Sequence, residues 1–402
     1  VTPTSAGKAE VRTVGISSDE KLPPPSTTTL RPNLFLMIDS LQTGGSERQF
    51  VALSRSIDPK SFRLLLGCIQ AKGAFLDELG DVEQFPLGGS LYGWQAARTL
   101  LRLRSHLRKR TVALAHAFDF YTNVLLVPAA RLAGVPVVIA SQRQLGDLLT
   151  PAQSGAQMAA FRWCDAVVCN SRAAADRLLK RGLPERKIAI IGNGLPEAAF
   201  ADAAPALPKL HGSLRVGMIA RMNTRAKNHS MFLRAAVRLR HEFPRAEYVV
   251  AGDGPLRKEL EAEAAQMELN DQVRFIGDRR DIPAVLASLD VSVLPSASES
   301  LSNVILESMA AGVPVVASDV GGNPELVNAD RGALFLANDE VGLSDALARL
   351  LREGELRQRM GHNCRMFAQE NFTVERMRLS HERLYTQLLE RKGWLPSWND
   401  LQ

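Results

Sequence analysis

The sequence predicts an α/β protein built from two doubly wound parallel sheets in tandem, and three observations predict it. Short apolar runs of strand length alternate with amphipathic helical patterns from Asn33 onward. That alternation restarts after an Ala- and Pro-rich stretch, "GNGLPEAAFADAAPALPKLHGS". At 402 residues the chain is long for one core and comfortable for two domains of ordinary size.

The first element is "NLFLMIDS", Asn33 to Ser40, a buried-strand run. Gly44 and Gly45 follow, then a helix opened by Ser46 with Gln49 three residues on, at capping-box spacing. The runs "FRLLLGCI", "TVALAHAF", "VPVVIAS", "DAVVCNS" and "KIAIIGNG" continue the first sheet. "LRVGMIA", "AEYVVAGDG", "QVRFIGD", "DVSVLPS", "VPVVASD" and "GALFL" supply the second. Strands that alternate with helices pair in parallel through crossovers, so both halves are Rossmann-like. A helix around Val374 to Arg391 comes after the second sheet and is expected to pack back on the first domain. The expected division is a disordered tail over 1–32, Rossmann-like domains over 33–195 and 213–372, a linker over 196–212 and a C-terminal helical segment over 373–402.

A hydrophobic fraction of 46% with 23% charged residues excludes disordered and fibrous classes. The most apolar long stretch, Val124 to Ala140, carries Arg131 and two prolines, so it reads as helix, turn and strand rather than a membrane span. With no secretory pattern at the start, the expected location is cytoplasmic. Cys164 and Cys169 lack metal-ligand spacing, and the four cysteines read as reduced, buried thiols. Charge is uneven: residues 33–195 carry 20 Lys+Arg against 12 Asp+Glu, and residues 196–402 carry 25 against 28. Part of the excess lies in "QAARTLLRLRSHLRKR", a helix whose cations suit anionic lipid headgroups or an anionic substrate, with a solvated face as the plain alternative. Nucleic acid is not an expected partner.

In open α/β sheets ligands bind beyond the carboxyl ends of the strands. "DVSVLPSASESLSNVILESMAAG" occupies such a place. Its helix should start at Ser302 or Asn303 and stop at Gly312, with Pro314 beyond. The free amides of Leu301, Ser302 and Asn303, reinforced by the helix dipole, make an anion cradle fit for a phosphate. Glu307 shares a face with Asn303 and can accept hydrogen bonds from two vicinal hydroxyls, as a ribose offers. Glu299 precedes the cradle and can reach whatever the far phosphate carries. A bare Glu-x7-Glu occurs by accident about once in such a chain, so the strand end, helix start and Ala-Ala-Gly stop give it meaning. In "IARMNTRAKNHS", Arg221 ends a strand and Lys227 precedes a helix, and together they would neutralise a diphosphate. His116 ends a strand in "ALAHAFDFYTN", where Asp119 either orients an acceptor hydroxyl or caps the next helix. Asp253 in "AGDGP" reads as a turn residue.

These residues resemble the retaining glycosyltransferases of family 4, which have the GT-B fold of two Rossmann-like domains facing a central cleft. The resemblance covers nearly the whole chain from Asn33 and is dense in the second half. It implies a hexosyltransferase-type enzyme whose nucleotide-diphosphate-sugar donor, a UDP-sugar being favoured, is held mainly by the second domain. It implies Arg221 and Lys227 at the diphosphate, Glu307 at the ribose, Glu299 by the transferred sugar, and the stretch with Arg279 at the base. From the first, acceptor-binding domain, it implies Gly44 and Gly45 approaching the diphosphate and His116 beside the donor sugar. Relatives often carry a second histidine where this chain has Leu114.

Glycosyl transfer builds negative charge on the leaving diphosphate, which fixed cations and amides stabilise more than the ground state. No Asp-x-Asp occurs, so the expected reaction is metal-free, with no cofactor beyond the donor. Retention, with the leaving oxygen assisting the acceptor hydroxyl, is implied by the resemblance, and closure about Gly192 to Ala206 should exclude water. The acceptor is a glycan, a lipid-linked or a small-molecule hydroxyl, with "PLGGSLYGW" and "SQRQLGDLLTPAQSG" as contact loops and peripheral contact at the inner membrane face. A nucleotide-sugar epimerase and a non-catalytic nucleotide-sugar-binding subunit remain as alternatives. A nicotinamide dehydrogenase fits worse, because "GDGPLR" lacks the third glycine of its fingerprint.

Overall fold

The computed structural model describes residues 31–395 except 90, 92, 148, 210 and 211. The tail expected over 1–32 therefore lies, but for its last two residues, outside the described residues. The chain divides into two compact units, one of residues up to Gly192 together with those from Arg378 on, the other Asn193–Met377.

The first unit runs β1 (Asn33–Ser40), α1 (Gly45–Ser56), β2 (Arg63–Gln70), β3 (Val82–Gln84), α2 (Trp94–Lys109), β4 (Val112–Ala117), α3 (Phe120–Ala133), β5 (Val137–Gln142), α4 (Pro151–Trp163), β6 (Ala166–Cys169), α5 (Arg172–Lys180) and β7 (Ile188–Ile190). Its parallel sheet has the order β3-β2-β1-β4-β5-β6-β7. β1, β4 and β5 are buried almost throughout because helices cover both faces, which is why their sequences read as continuous apolar runs. β3 has no such run and is added by pairing with β2.

The second unit runs β8 (Arg215–Ile219), α6 (His229–Leu239), β9 (Glu247–Ala251), α7 (Arg257–Gln266), β10 (Val273–Gly277), α8 (Ile282–Leu286), β11 (Val291–Leu294), α9 (Asn303–Ala310), β12 (Val315–Ser318), α10 (Asn323–Leu326), β13 (Gly332–Phe335), α11 (Glu340–Arg352), α12 (Gly354–Asn371) and α13 (Val374–Arg391). The boundary between units falls within α13. Its parallel sheet has the order β10-β9-β8-β11-β12-β13. Val216, Met218, Val250, Val293 and Val316 pack there against Phe232, Leu343 and Leu347 of the helices. In both sheets the order reverses beside the first strand of the unit, at β1/β4 and at β8/β11. Such a switch point opens a crevice at the strands' carboxyl ends.

Two expectations change. α1 starts at Gly45 with Gly44 as its cap and no side-chain cap, so Ser46 and Gln49 form no capping box. Gln49 is buried. The stretch 196–212 is no free tether. It holds a 3₁₀ turn over Glu197–Phe200, and Leu207 is buried with its amide donating to Ser288 Oγ at 3.0 Å. All four cysteines are buried and free. Among the described residues, no helix is long and apolar enough to cross a membrane.

Candidate active site

In the second unit the chain leaves β8 through residues 220–228 and β11 through residues 295–302, on either side of the switch point. The first segment is held by glycines. A Cβ on Gly252 (φ +138°) would lie 2.1 Å from the carbonyl oxygen of Ala220, and one on Gly254 (φ +153°) 2.5 Å from the Met222 backbone. Only glycine lets "AGDGP" lie this close beneath Arg221. Asp253 shapes that turn, as expected, accepting from the Gly254 amide at 2.7 Å and pairing with Arg257 at 2.9 Å.

Thr224 then caps a short 3₁₀ turn, Arg225–Lys227, and Asn228 turns left-handed (φ +60°) to start α6. That turn sets Lys227 beside the second segment. The Ala297 amide donates to the Ala226 carbonyl at 2.8 Å, and the Gly322 amide donates to the Glu299 carbonyl at 3.1 Å. With its loop tied on both sides, Glu299 meets Lys227 at 2.5 Å between Oε1 and Nζ, with side chains 11% and 30% exposed respectively. A pair this sheltered is held more firmly than a surface ion pair.

α9 begins at Asn303, and its cap Ser302 accepts from the Ile305 amide at 3.4 Å. The cap leaves the first amides of the helix, which carry its positive dipole end, without helical partners. Asn303 Oδ1 accepts from Asn193 Nδ2 at 2.6 Å, and half-buried Glu307 lies one turn on. Leu301 is buried in the core below. Thus Lys227, Glu299, Leu301, Ser302, Asn303 and Glu307 gather at one switch point, with exposed Arg221 at the end of β8. Arg279 follows β10, two strands away from β11's partner side, and its guanidinium forms a fork on Asp281 at 2.5 and 2.8 Å.

In the first unit, Gly44 and Gly45 open α1, and a Cβ on Gly44 would meet Glu47 Oε2 at 2.2 Å. His116 requires a correction. Its ring is 0% exposed, with Nδ1 at 2.8 Å from the Tyr385 hydroxyl and Nε2 at 2.8 Å from Ser141 Oγ. Both nitrogens are committed within the core, so His116 offers none to a sugar. Burial first, then His381 and Arg143, hold its pKa well below the ordinary range. The carboxylate of Asp119 caps α3 through the Thr122 amide at 3.0 Å and also accepts from the Asp39 amide at 2.6 Å. Burial pushes its pKa up to about 7 despite those amides. The capping alternative is the one realised.

A neutral buried imidazole has a definite pH signature. Below about pH 6.5 the unfolded chain binds a proton that the folded core refuses, so the stability from His116 is complete above that pH and is lost as pH falls through it. The melting-temperature advantage of the wild type over His116→Asn should therefore narrow between pH 7.5 and 5.5. Asp119 contributes to both proteins and cancels. A constant advantage would mean that the ring takes up its proton equally in the folded and unfolded chain, and a widening one that it is charged when folded.

Sequence reasoning missed Ser141 and Tyr385 as the partners of His116, and it placed Lys227 and Glu299 at one ligand without foreseeing their ion pair. It also missed Ser318, which donates to the Ser296 carbonyl at 2.5 Å and braces the start of the Glu299 loop.

Residues 43–198 match the family described as Glycosyltransferase Family 4, and residues 199–367 match Glycosyl transferases group 1. The chain is 30% identical over 296 residues to the alpha-D-kanosaminyltransferase of Streptomyces kanamyceticus, covering 66% of this chain and 75% of the relative. It is 29% identical over 296 residues to the Escherichia coli UDP-Gal:alpha-D-GlcNAc-diphosphoundecaprenol alpha-1,3-galactosyltransferase, covering 69% and 76%. Anabaena HepE, solved with UDP and glucose, superposes with a TM-score of 0.78 at 20% identity over 88% of this chain and 99% of its own.

Proposed function

The chain belongs to glycosyltransferase family 4 and has the GT-B architecture of two Rossmann-like units, and from that premise we propose that it transfers a sugar from a nucleotide-diphosphate-sugar to an acceptor hydroxyl in glycan, polysaccharide or glycolipid assembly. The observation that carries the donor site is the meeting of Lys227 and Glu299 beside the N-terminus of α9 at the β8/β11 switch point. Arg221, Lys227 and the α9 amides neutralise the diphosphate, Glu307 takes the ribose diol, and Glu299 faces the transferred sugar. Charge that develops on the leaving diphosphate meets fixed cations and amides, so no metal is required, and the resemblance to the retaining enzymes of the family implies that configuration is kept. Arg279 can serve the base only by releasing Asp281.

UDP-sugars are the favoured donors, in line with the relative named for UDP-Gal. That relative's name also carries a lipid diphosphate acceptor, and α2 suits such a substrate. Trp94 and Leu101 are 76% and 56% exposed on a helix whose Arg98, Arg102, Arg108 and Lys109 are exposed as well. Apolar and cationic groups on one helix favour an anionic membrane surface.

The test is a panel of UDP-, GDP- and ADP-sugars against the purified protein. One nucleotide class should raise the melting temperature, since a ligand that binds only the folded state stabilises it. With lipid-linked acceptor in phosphatidylglycerol vesicles, that donor should release its nucleoside diphosphate, in excess chelator as well, and the product should keep the donor's anomeric configuration. Donor consumption without acceptor would support an epimerase, and binding without turnover a non-catalytic subunit.

A further inference from the structure

We infer that Glu299, through its pairing with Lys227, makes the donor site prefer a sugar-bearing diphosphate to a bare nucleoside diphosphate. The inference rests on the donor-site reading above and concerns how that site tells its substrate from its product. In the ligand-free protein the two charges satisfy one another at 2.5 Å, with the carboxylate only 11% exposed. A diphosphate that recruits Lys227 takes away a hydrogen-bond partner of Glu299. Leaving a sheltered carboxylate without its cation is costly. Two kinds of ligand differ in how they meet that cost.

A nucleotide-sugar brings hydroxyl donors to the carboxylate as it takes the ammonium, so each charge exchanges one partner for another. Its outer phosphate is a diester with a single negative charge. A bare nucleoside diphosphate brings no hydroxyl to that position and ends in a monoester phosphate whose second ionisation lies near pH 6. It therefore draws Lys227 from Glu299 without replacement and adds negative charge beside the carboxylate. The loop cannot easily retreat, because the Gly322 amide holds the Glu299 carbonyl at 3.1 Å and the Ala297 amide holds Ala226 at 2.8 Å. The same carboxylate that receives the sugar thus weakens the hold on the product once the sugar has left.

The experiment is isothermal titration of wild type and Glu299→Gln, at pH 7.5, with UDP, GDP or ADP, whichever stabilises the wild type, and with the matching nucleotide-sugar. Glu299→Gln should bind the bare nucleotide about tenfold more tightly while its affinity for the nucleotide-sugar stays equal or falls, so that the preference collapses. Inorganic pyrophosphate should show the same tightening. Glu299→Ala, which removes the charge without a new amide, provides the same comparison if the Gln variant does not fold. Bare-nucleotide affinity that is unchanged or weaker, or both ligands shifting by one factor, overturns the inference. A wild type that binds none of the three nucleotides overturns the donor-site reading itself.

Discussion

Replacing Lys227 by alanine should lower turnover by about a hundred- to a thousandfold, the range seen when one preorganised donor is removed from a developing anion. Two effects act together. The leaving diphosphate loses an ammonium that strengthens its hold as the sugar–oxygen bond breaks. Glu299, sheltered and tied by its loop, is left without its cation and repels the phosphates. The second effect makes a distinctive forecast: Lys227→Ala/Glu299→Gln should bind bare nucleotide more tightly than Lys227→Ala, although neither recovers turnover. Lys227→Arg should retain more activity than alanine, since it keeps the charge but places it on a planar fork. Initial rates at saturating donor and circular dichroism check these outcomes. Wild-type turnover in Lys227→Ala would remove Lys227 from the diphosphate.

Much of this site is legible in the sequence because position along a parallel strand carries chemical meaning. A buried strand reads as an apolar run, and the residues after it lie at the ligand-binding edge. Arg221, Lys227, Glu299 and the Ser302–Asn303 helix start follow from that rule, and the structure sets them around one switch point. The ion pair does not follow. It joins residues 72 apart through neighbouring strands whose order in the sheet no local pattern records.

His116 shows where the rule misleads. It lies inside β4, one residue before its end, and what surrounds a buried imidazole depends on side chains far along the chain, here a tyrosine 269 residues later. The three-residue strand β3, "VEQ", was illegible for a different reason: one apolar residue at a sheet edge gives no periodicity. At α1 the capping-box spacing was present, yet Gly44, in extended conformation, caps the helix two residues before Ser46 would. Spacing indicates which bonds are available, and backbone conformation decides which form.

The largest stability effect is expected at Arg215, which the sequence shows only as the first polar residue of a strand. In the structure it is 0% exposed. Its Nε and Nη2 meet Glu247 Oε2 at 3.1 and 2.6 Å. Nη1 donates to the carbonyls of Leu207 at 3.1 Å and Ser288 at 3.3 Å, and Nη2 to that of Pro208 at 2.7 Å. One guanidinium thereby ties the stretch expected as a linker to β8, β9 and the turn before β11. Methionine has similar length but no donors, so Arg215→Met leaves Glu247 and three carbonyls short of a partner in a closed site. Removing one member of a buried pair costs about 3–5 kcal/mol. For a unit of this size that corresponds to a fall of roughly 10 °C in melting temperature. Arg215→Lys should fall between, keeping the charge at Glu247 while its single ammonium cannot span all three carbonyls. Because Leu207 and Pro208 lose their anchor, limited proteolysis should cut near them sooner in Arg215→Met than in the wild type. An unchanged melting temperature with unchanged cleavage would mean that the 207–208 segment is held without Arg215, by the Leu207 amide on Ser288 Oγ and by the apolar cluster Leu207 shares with Val285 and Leu289.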